Sequence, residues 1–197
     1  NYIYDIRDIY IDPQSGVLFD ITFSNQFDFK TPNYYLLKTK FNIYKNFTKE
    51  KKSFNPTFIY KFFHNIQFSK TMIPIYRKEY IGGSDYIRGY SSIPLDNSDN
   101  TIGLIEWDNF LINSFEIQNT IIERFKYENK FEVGLDIVFF IDYGVGYNLN
   151  RDIDLDNALF GYGFGLRFFL MGGVMKLDLG FSPYRTRKLH LSGDSPN

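Results

Sequence analysis

Apolar and polar residues alternate one for one along most of the chain. In 18–29, Phe19, Ile21, Phe23, Phe27 and Phe29 interleave with Asp20, Thr22, Ser24, Gln26 and Asp28. In 131–145, Phe131, Val133, Leu135, Ile137, Phe139, Ile141, Tyr143 and Val145 oppose Glu132, Gly134, Asp136, Phe140, Asp142 and Gly144. Residues 159–169 set Phe160, Tyr162, Phe164, Leu166 and Phe168 against Gly161, Gly163, Gly165 and Arg167. In 174–181, Met175, Leu177, Leu179 and Phe181 oppose Lys176, Asp178 and Gly180. A period of two sends successive side chains to opposite faces of a strand. An amphipathic helix needs apolar residues three and four apart, and these segments do not supply them. The fold class predicted is all-β.

Turn chemistry divides the pattern. Asp12-Pro13-Gln14-Ser15-Gly16 and Thr31-Pro32-Asn33 are breaks, where Pro sets φ and Gly accepts positive φ. Further breaks fall at 49–55, 126–130, 148–157, 171–173 and 183–187, and the longest runs over about 71–100. The spacing predicts roughly nine antiparallel strands joined by alternately short and longer loops. The first strand is expected over Tyr2–Ile11, with Asp and Arg on both faces. His64 interrupts the apolar series Phe58, Tyr60, Phe62, Ile66 and Phe68, so it is expected near a membrane interface. A soluble sandwich would also alternate. These segments, however, exceed the ~5–6 residues of a soluble strand and suit the ~9–11 of a tilted membrane strand. Their polar face carries Asp20, Asp28, Lys38, Lys40, Asp136 and Asp178, as a wet lumen would. The predicted architecture is an antiparallel transmembrane β-barrel.

Composition agrees. Aromatic residues make up 20% of the chain, with 22 Phe and 16 Tyr, yet mean hydropathy is only -0.28. A barrel explains both, because its wall alternates and its aromatics collect at the two interfaces. No apolar run approaches the ~20 residues of a spanning helix. Asn1–Asp8 lacks the layout of a signal peptide, so an exported protein is expected to begin upstream. The net charge of -1 argues against a nucleic-acid partner. The absence of Cys excludes disulfides, thiolate metal sites and a Cys nucleophile. His64 and His190 are isolated from other ligand types, Gly82-Gly83 is not followed by Gly-Lys-Ser/Thr, and no G-x-S-x-G occurs. Neither metal, cofactor nor catalysis is expected.

One loop carries the most specific signal. Ile81-Gly82-Gly83-Ser84-Asp85-Tyr86-Ile87-Arg88-Gly89-Tyr90 resembles the Gly-Gly … Val-Arg-Gly-Phe/Tyr motif of the BamA/TamA (bacterial surface antigen) superfamily of outer-membrane assembly and translocation barrels. Phe140-Ile141-Asp142-Tyr143-Gly144 is similar to that family's F-x-D-x-G strand motif, Gly161–Tyr184 to its penultimate hairpin, and Asp12–Gly16 to its P-x-x-G turn. The matches come in the family's order over nearly the whole chain. Ile87 and Tyr90 are mild departures within the motif. Family barrels end in a strand closing on an aromatic residue, whereas Asp194-Ser195-Pro196-Asn197 stands here.

The resemblance implies that 1–197 is the C-terminal portion of a larger, about 16-stranded barrel, with N-terminal strands and periplasmic POTRA domains lying outside this chain. An eight-stranded barrel is just filled by its own side chains, which leaves no room for the long loop. The resemblance further implies that this loop folds into the lumen, where Arg88 grips Asp142, with Glu116 as a second partner. Gly82, Gly83, Gly89 and Tyr90 would shape the loop, and Phe140 and Gly144 the strand motif. The function implied is insertion of other barrels into the outer membrane of a Gram-negative-type envelope, with membrane lipids and unfolded outer-membrane or secreted polypeptides as partners. A two-partner secretion transporter, a passive porin and the membrane anchor of an upstream enzyme are the alternatives.

Overall fold

The computed structural model describes residues 1–26, 34–47, 54–69, 78–92, 106–127, 131–148, 155, 158–170 and 173–194. Its strands are β1 (Tyr2–Asp5), β2 (Ser15–Gln26), β3 (Tyr34–Asn46), β4 (Thr57–Ser69), β5 (Glu79–Tyr80), β6 (Glu106–Trp107), β7 (Asn109–Tyr127), β8 (Phe131–Tyr147), β9 (Leu159–Leu170), β10 (Gly173–Phe181) and β11 (Arg187–Asp194). Nine of them form one antiparallel sheet in the order β1-β2-β3-β4-β7-β8-β9-β10-β11. The β5–β6 ribbon lies between β4 and β7 in the chain, at the base of the long loop. Every neighbour in the sheet is thus the next wall strand in sequence, a meander that short hairpins can build.

Register turns the alternation into two faces. Phe58, Ile117, Phe139, Phe164, Leu179 and Leu189 align across six strands on one face. One residue along, Ile59, Glu116, Phe140, Gly163, Gly180 and Lys188 align on the other. Exposure is inverted relative to a soluble domain: Phe115, Phe139 and Ile141 are 55%, 54% and 48% exposed, whereas Glu116 and Asp142 are 4% and 0%. A continuous apolar face of that extent is a lipid-facing surface. Among the described residues no helix is long and apolar enough to cross a membrane, so crossing falls to the strands.

The apolar cluster lies on the inward face, where Ile81, Ile87 and Tyr90 of the loop pack on Phe110, Ile112 and Leu159 of the wall. The long interruption expected at about 71–100 is described here only over 78–92, and Phe27, Asp28 and Phe29 lie outside the described residues.

The first strand is shorter than its sequence suggests. The regular ladder with β2 covers Tyr2–Asp5, the Ile6 and Asp8 N–H groups still donate to the Val17 and Ser15 carbonyls at 3.0 Å, and 11–14 turn inward. Asp12, at φ 59°, accepts hydrogen bonds from Gln118 and Arg124, and Gln14 accepts one from Thr57. Asp tolerates the left-handed conformation better than most residues, and two donors on the far wall hold it there. His64, on the lipid-facing side of β4, meets the hydroxyl of Tyr147, the last residue of β8, at 3.0 Å.

Placing a cation on the outer face tests the sidedness. Phe139→Arg should cost about 2–4 kcal/mol near the bilayer midplane, read as a lowered urea midpoint for folding into vesicles. Gln118→Lys, pointing inward, should cost far less. Equal costs would contradict the assignment of faces.

Candidate functional site

Residues 78–92 form a compact hairpin docked on the inward wall. Glu79 and Tyr80 pair with Trp107 and Glu106, and Lys38 of β3 lies 3.5 Å from Glu79. The Ile81 carbonyl accepts from Ile87 N–H (3.0 Å), and the Ile87 carbonyl from Gly83 N–H (3.2 Å), which folds the chain back on itself. Gly83 and Gly89 sit at φ 109° and 100°, conformations open to glycine and costly for other residues. Gly82 is needed for space, since a Cβ there would lie 2.2 Å from the Ser91 carbonyl oxygen. Tyr86 stacks on Phe63 at 5.6 Å. Burial, with Glu79 and Asp85 nearby, pushes its phenol up to about 12, so it docks as a neutral ring.

The hairpin delivers Arg88, which is 3% exposed, to a cluster of wall carboxylates. Its Nε donates to Asp142 Oδ2 at 2.8 Å and its Nη2 to Asp142 Oδ1 at 2.7 Å, while its backbone N–H also reaches Oδ2 at 3.0 Å. Nη2 lies 2.7 Å from Glu116 Oε1, and Nη1 3.3 Å from Asp178 Oδ2. Ser114 accepts from Arg88 Nη2 (3.1 Å) and donates to Asp142 (2.7 Å). The guanidinium lies over the Phe140 ring, 3.5 Å from its centroid. Burial opposes its charge, but Glu116, Asp142 and Asp178 outweigh burial and hold the guanidinium above its ordinary value.

The wall completes the balance. Lys61 of β4 holds the other Glu116 oxygen at 2.9 Å, and Arg167 of β9 holds Asp178 at 2.5 and 3.1 Å. Three carboxylates (Glu116, Asp142, Asp178) thus meet three cations (Lys61, Arg88, Arg167), a net of 3 − 3 = 0. Without Arg88 the wall residues alone carry 2 − 3 = −1. A buried charge is tolerated when paired and hydrogen-bonded; the loop supplies the missing positive one.

Close approach depends on the inward glycines of β9. A Cβ at Gly161 would lie 2.0 Å from the Arg88 carbonyl oxygen, at Gly163 2.0 Å from the Leu179 carbonyl oxygen and 2.7 Å from the Phe140 ring, and at Gly165 1.8 Å from Asp178 Oδ1. Each therefore admits one component of the site: the loop backbone, the ring beneath the guanidinium, and the third acid. Gly144 makes room for Ile87 and Gly180 for the Gly89 nitrogen. Tyr90 donates to the Phe160 carbonyl at 3.2 Å. Gly89 is gripped by the final hairpin: Thr186 Oγ1 donates to its carbonyl at 2.6 Å, and its N–H donates to His190 Nε2 at 3.3 Å. A cavity of about 680 Å³ is lined by residues of this loop and by, among others, Arg7, Asp12, Lys40, Lys61, Glu116 and Arg167.

The structure thus brings Arg88 together with Asp142 and Glu116, seats Phe140 and Gly144 beneath the loop, and places Gly82, Gly83, Gly89 and Tyr90 within its fold. Sequence reasoning passed over Asp178, Arg167, Lys61 and His190 as members of the site. Their parity placed them on the inner face, but alternation carries no information about which heights meet. Among the described residues no group of His, Cys, Asp and Glu could hold a metal ion.

The glycine floor is testable by one added methyl. Gly161→Ala should lift the Arg88 backbone off β9 and cost about 1–3 kcal/mol, as overpacking does. It should be seen as faster protease cleavage within 78–92 of the membrane-embedded protein. Cleavage unchanged from the parent would refute the contact.

No curated protein matches this chain. At the family level, residues 1–190 match the Omp85 superfamily domain. The curved meander with a greasy outer face, the inserted arginine hairpin and this match agree: the chain belongs to the Omp85 superfamily of outer-membrane β-barrels, which serve the assembly and transport of other polypeptides.

Proposed function

We propose that this protein is a BamA/TamA-type assembly factor that inserts client β-barrels into the outer membrane of a Gram-negative-type envelope. Clients would be unfolded outer-membrane polypeptides, received with the help of periplasmic POTRA domains elsewhere in the full-length protein, and membrane lipid would surround the wall. The observation that carries this reading is the reach of the inserted loop. Through Arg88 it engages β7, β8 and β10 directly, with β4 and β9 joined through Lys61 and Arg167, and through Gly89 it holds the turn before β11 and β11 itself.

Among the described strands β11 is an edge of the sheet. An edge strand carries a row of unpaired N–H and C=O groups, a template on which an incoming strand adds by β-augmentation. Leu189 and Leu191 face outward from it at 69% and 68% exposure, so a strand paired there would continue the lipid-facing surface. The loop's part is to hold the wall in shape while its edge is occupied. No catalytic group, cofactor or nucleotide enters this mechanism; the free energy comes from pairing backbone groups and burying apolar faces in lipid.

Arg88→Ala and Arg88→Lys in the full-length protein, reconstituted in vesicles with an unfolded barrel client, test it. Removing one partner from a buried ionic group costs about 3–5 kcal/mol. Lys retains the charge but loses the two-pronged grip on Asp142. Both variants should slow client insertion by about tenfold or more, the equivalent of 1.4 kcal/mol in barrier, at equal amounts of folded protein. Insertion at the parental rate in either variant would overturn the role given to the loop.

A further inference from the structure

His190 lies on β11, opposite Asp178 in register, with Nε2 turned to the Gly89 N–H. Because the donor is a backbone amide, Nε2 can only accept, so the ring is neutral with its proton on Nδ1. The same Gly89 peptide is held on its carbonyl side by Thr186, which also shares a 2.6 Å hydrogen bond with Ser182. Gly89 is therefore the point where the loop meets the final hairpin, and His190 is its contact on β11.

We propose that His190 is a positioning residue that ties the inserted loop to β11 only while Nε2 is unprotonated, so that acidification frees the edge strand from the loop. The inference rests on the assembly reading for its purpose, since β11 is the strand offered there to clients, but its geometry stands independently. Protonation turns the acceptor into a donor and sets N–H against N–H. The charged groups facing the ring are Asp178 on β10, Asp142 on β8, Arg88 on the loop and Lys188 on β11, with Arg167 behind Asp178. An imidazolium would draw on Asp178, the cross-strand neighbour, in competition with Arg88 Nη1 at 3.3 Å. One proton would thus cancel the Gly89 contact and weaken one of the three carboxylate contacts of Arg88. His is the side chain whose ordinary pKa, about 6.5, lies within reach of environmental acidification.

The test uses the full-length protein in lipid vesicles with spin labels at Asp85→Cys, on the exposed loop tip, and Leu191→Cys, on the lipid face of β11; the chain contributes no other thiol. Distances between labels are measured at pH 7.5 and pH 5.0 in the parent, His190→Gln and His190→Ala. Gln offers Oε1 as an acceptor that does not titrate. The parent should give one narrow distance distribution at pH 7.5 and a measurably broader one at pH 5.0. His190→Gln should stay narrow at both, and His190→Ala should be broad at both. A parent unaffected by acid overturns the proposal, as does His190→Gln broadening in acid like the parent, or His190→Ala remaining narrow. Should His190→Ala fail to fold, judged by its heat-dependent gel migration, the parent and Gln arms decide alone. Client insertion by the same variants reports separately on the assembly reading. Normal distances with failed insertion in the parent would count against that reading and leave the His190 contact standing.

Discussion

A membrane barrel cannot hold an inserted loop the way a soluble protein holds one. Its outer face is already greasy against lipid, so no hydrophobic gain draws the wall inward. The loop is fastened from inside, where Ile81, Ile87 and Tyr90 pack on Phe110, Ile112 and Leu159 beside a patch of charged wall residues. What fixes the position of Arg88 is charge: in the ion-paired cluster the wall sets Glu116, Asp142 and Asp178 against Lys61 and Arg167, and Arg88 is the third cation. Since the groups are buried, leaving any carboxylate unpaired is far more costly than the pairing is rewarding. The network therefore works less as glue than as a condition on the loop's position, because only one placement of the guanidinium satisfies three strands.

That placement needs room, and β9 provides it at a cost to itself. Glycine within a strand forgoes side-chain packing and adds backbone entropy on unfolding. The inward face of β9 nevertheless carries Gly161, Gly163 and Gly165 in succession, each filled by something that belongs to the site. Strand and loop form one object in consequence. The loop itself fills the space at Gly161, while wall groups fill it at Gly163 and Gly165, so loss of the loop would open the inner face of β9 at Gly161.

Much of this was legible in the sequence, and the physics of the period explains which part. Alternation assigns a face to each residue without knowing anything else, so Asp142 and Glu116 could be placed inward from parity alone. Arg88 could not, because a loop has no period; only its resemblance to a known motif singled it out. Asp178, Arg167 and Lys61 had the correct face but no partner, since the meeting of residues distant in sequence depends on register and strand tilt, which a one-dimensional pattern does not contain. His190 looked isolated because its partner is a backbone N–H, which leaves no side-chain signature. The stretch 6–14 misled for a related reason. Ile6 and Asp8 still bond to β2, and what turns 11–14 inward is Asp12 reaching Gln118 and Arg124 more than a hundred residues away.

Edge strands set a conflict that this arrangement addresses. β10 pairs with β11 over eight residue pairs, and β11 has no second neighbour among the described strands. Stronger packing on its inner side would steady the strand but would also stiffen the edge that an incoming strand must engage. A polar contact through one peptide, Gly89, resolves this differently: it orients β11 while adding no apolar surface that must be broken to move it. Hydrogen bonds of this kind are worth only about 1 kcal/mol each net, weak enough for thermal opening. The heavier energies sit one residue away, in the Arg88 cluster, where they fix the loop to strands that need not move. Separating a rigid anchor from a light guide by a single residue is what lets one loop both brace the wall and leave its edge free to act.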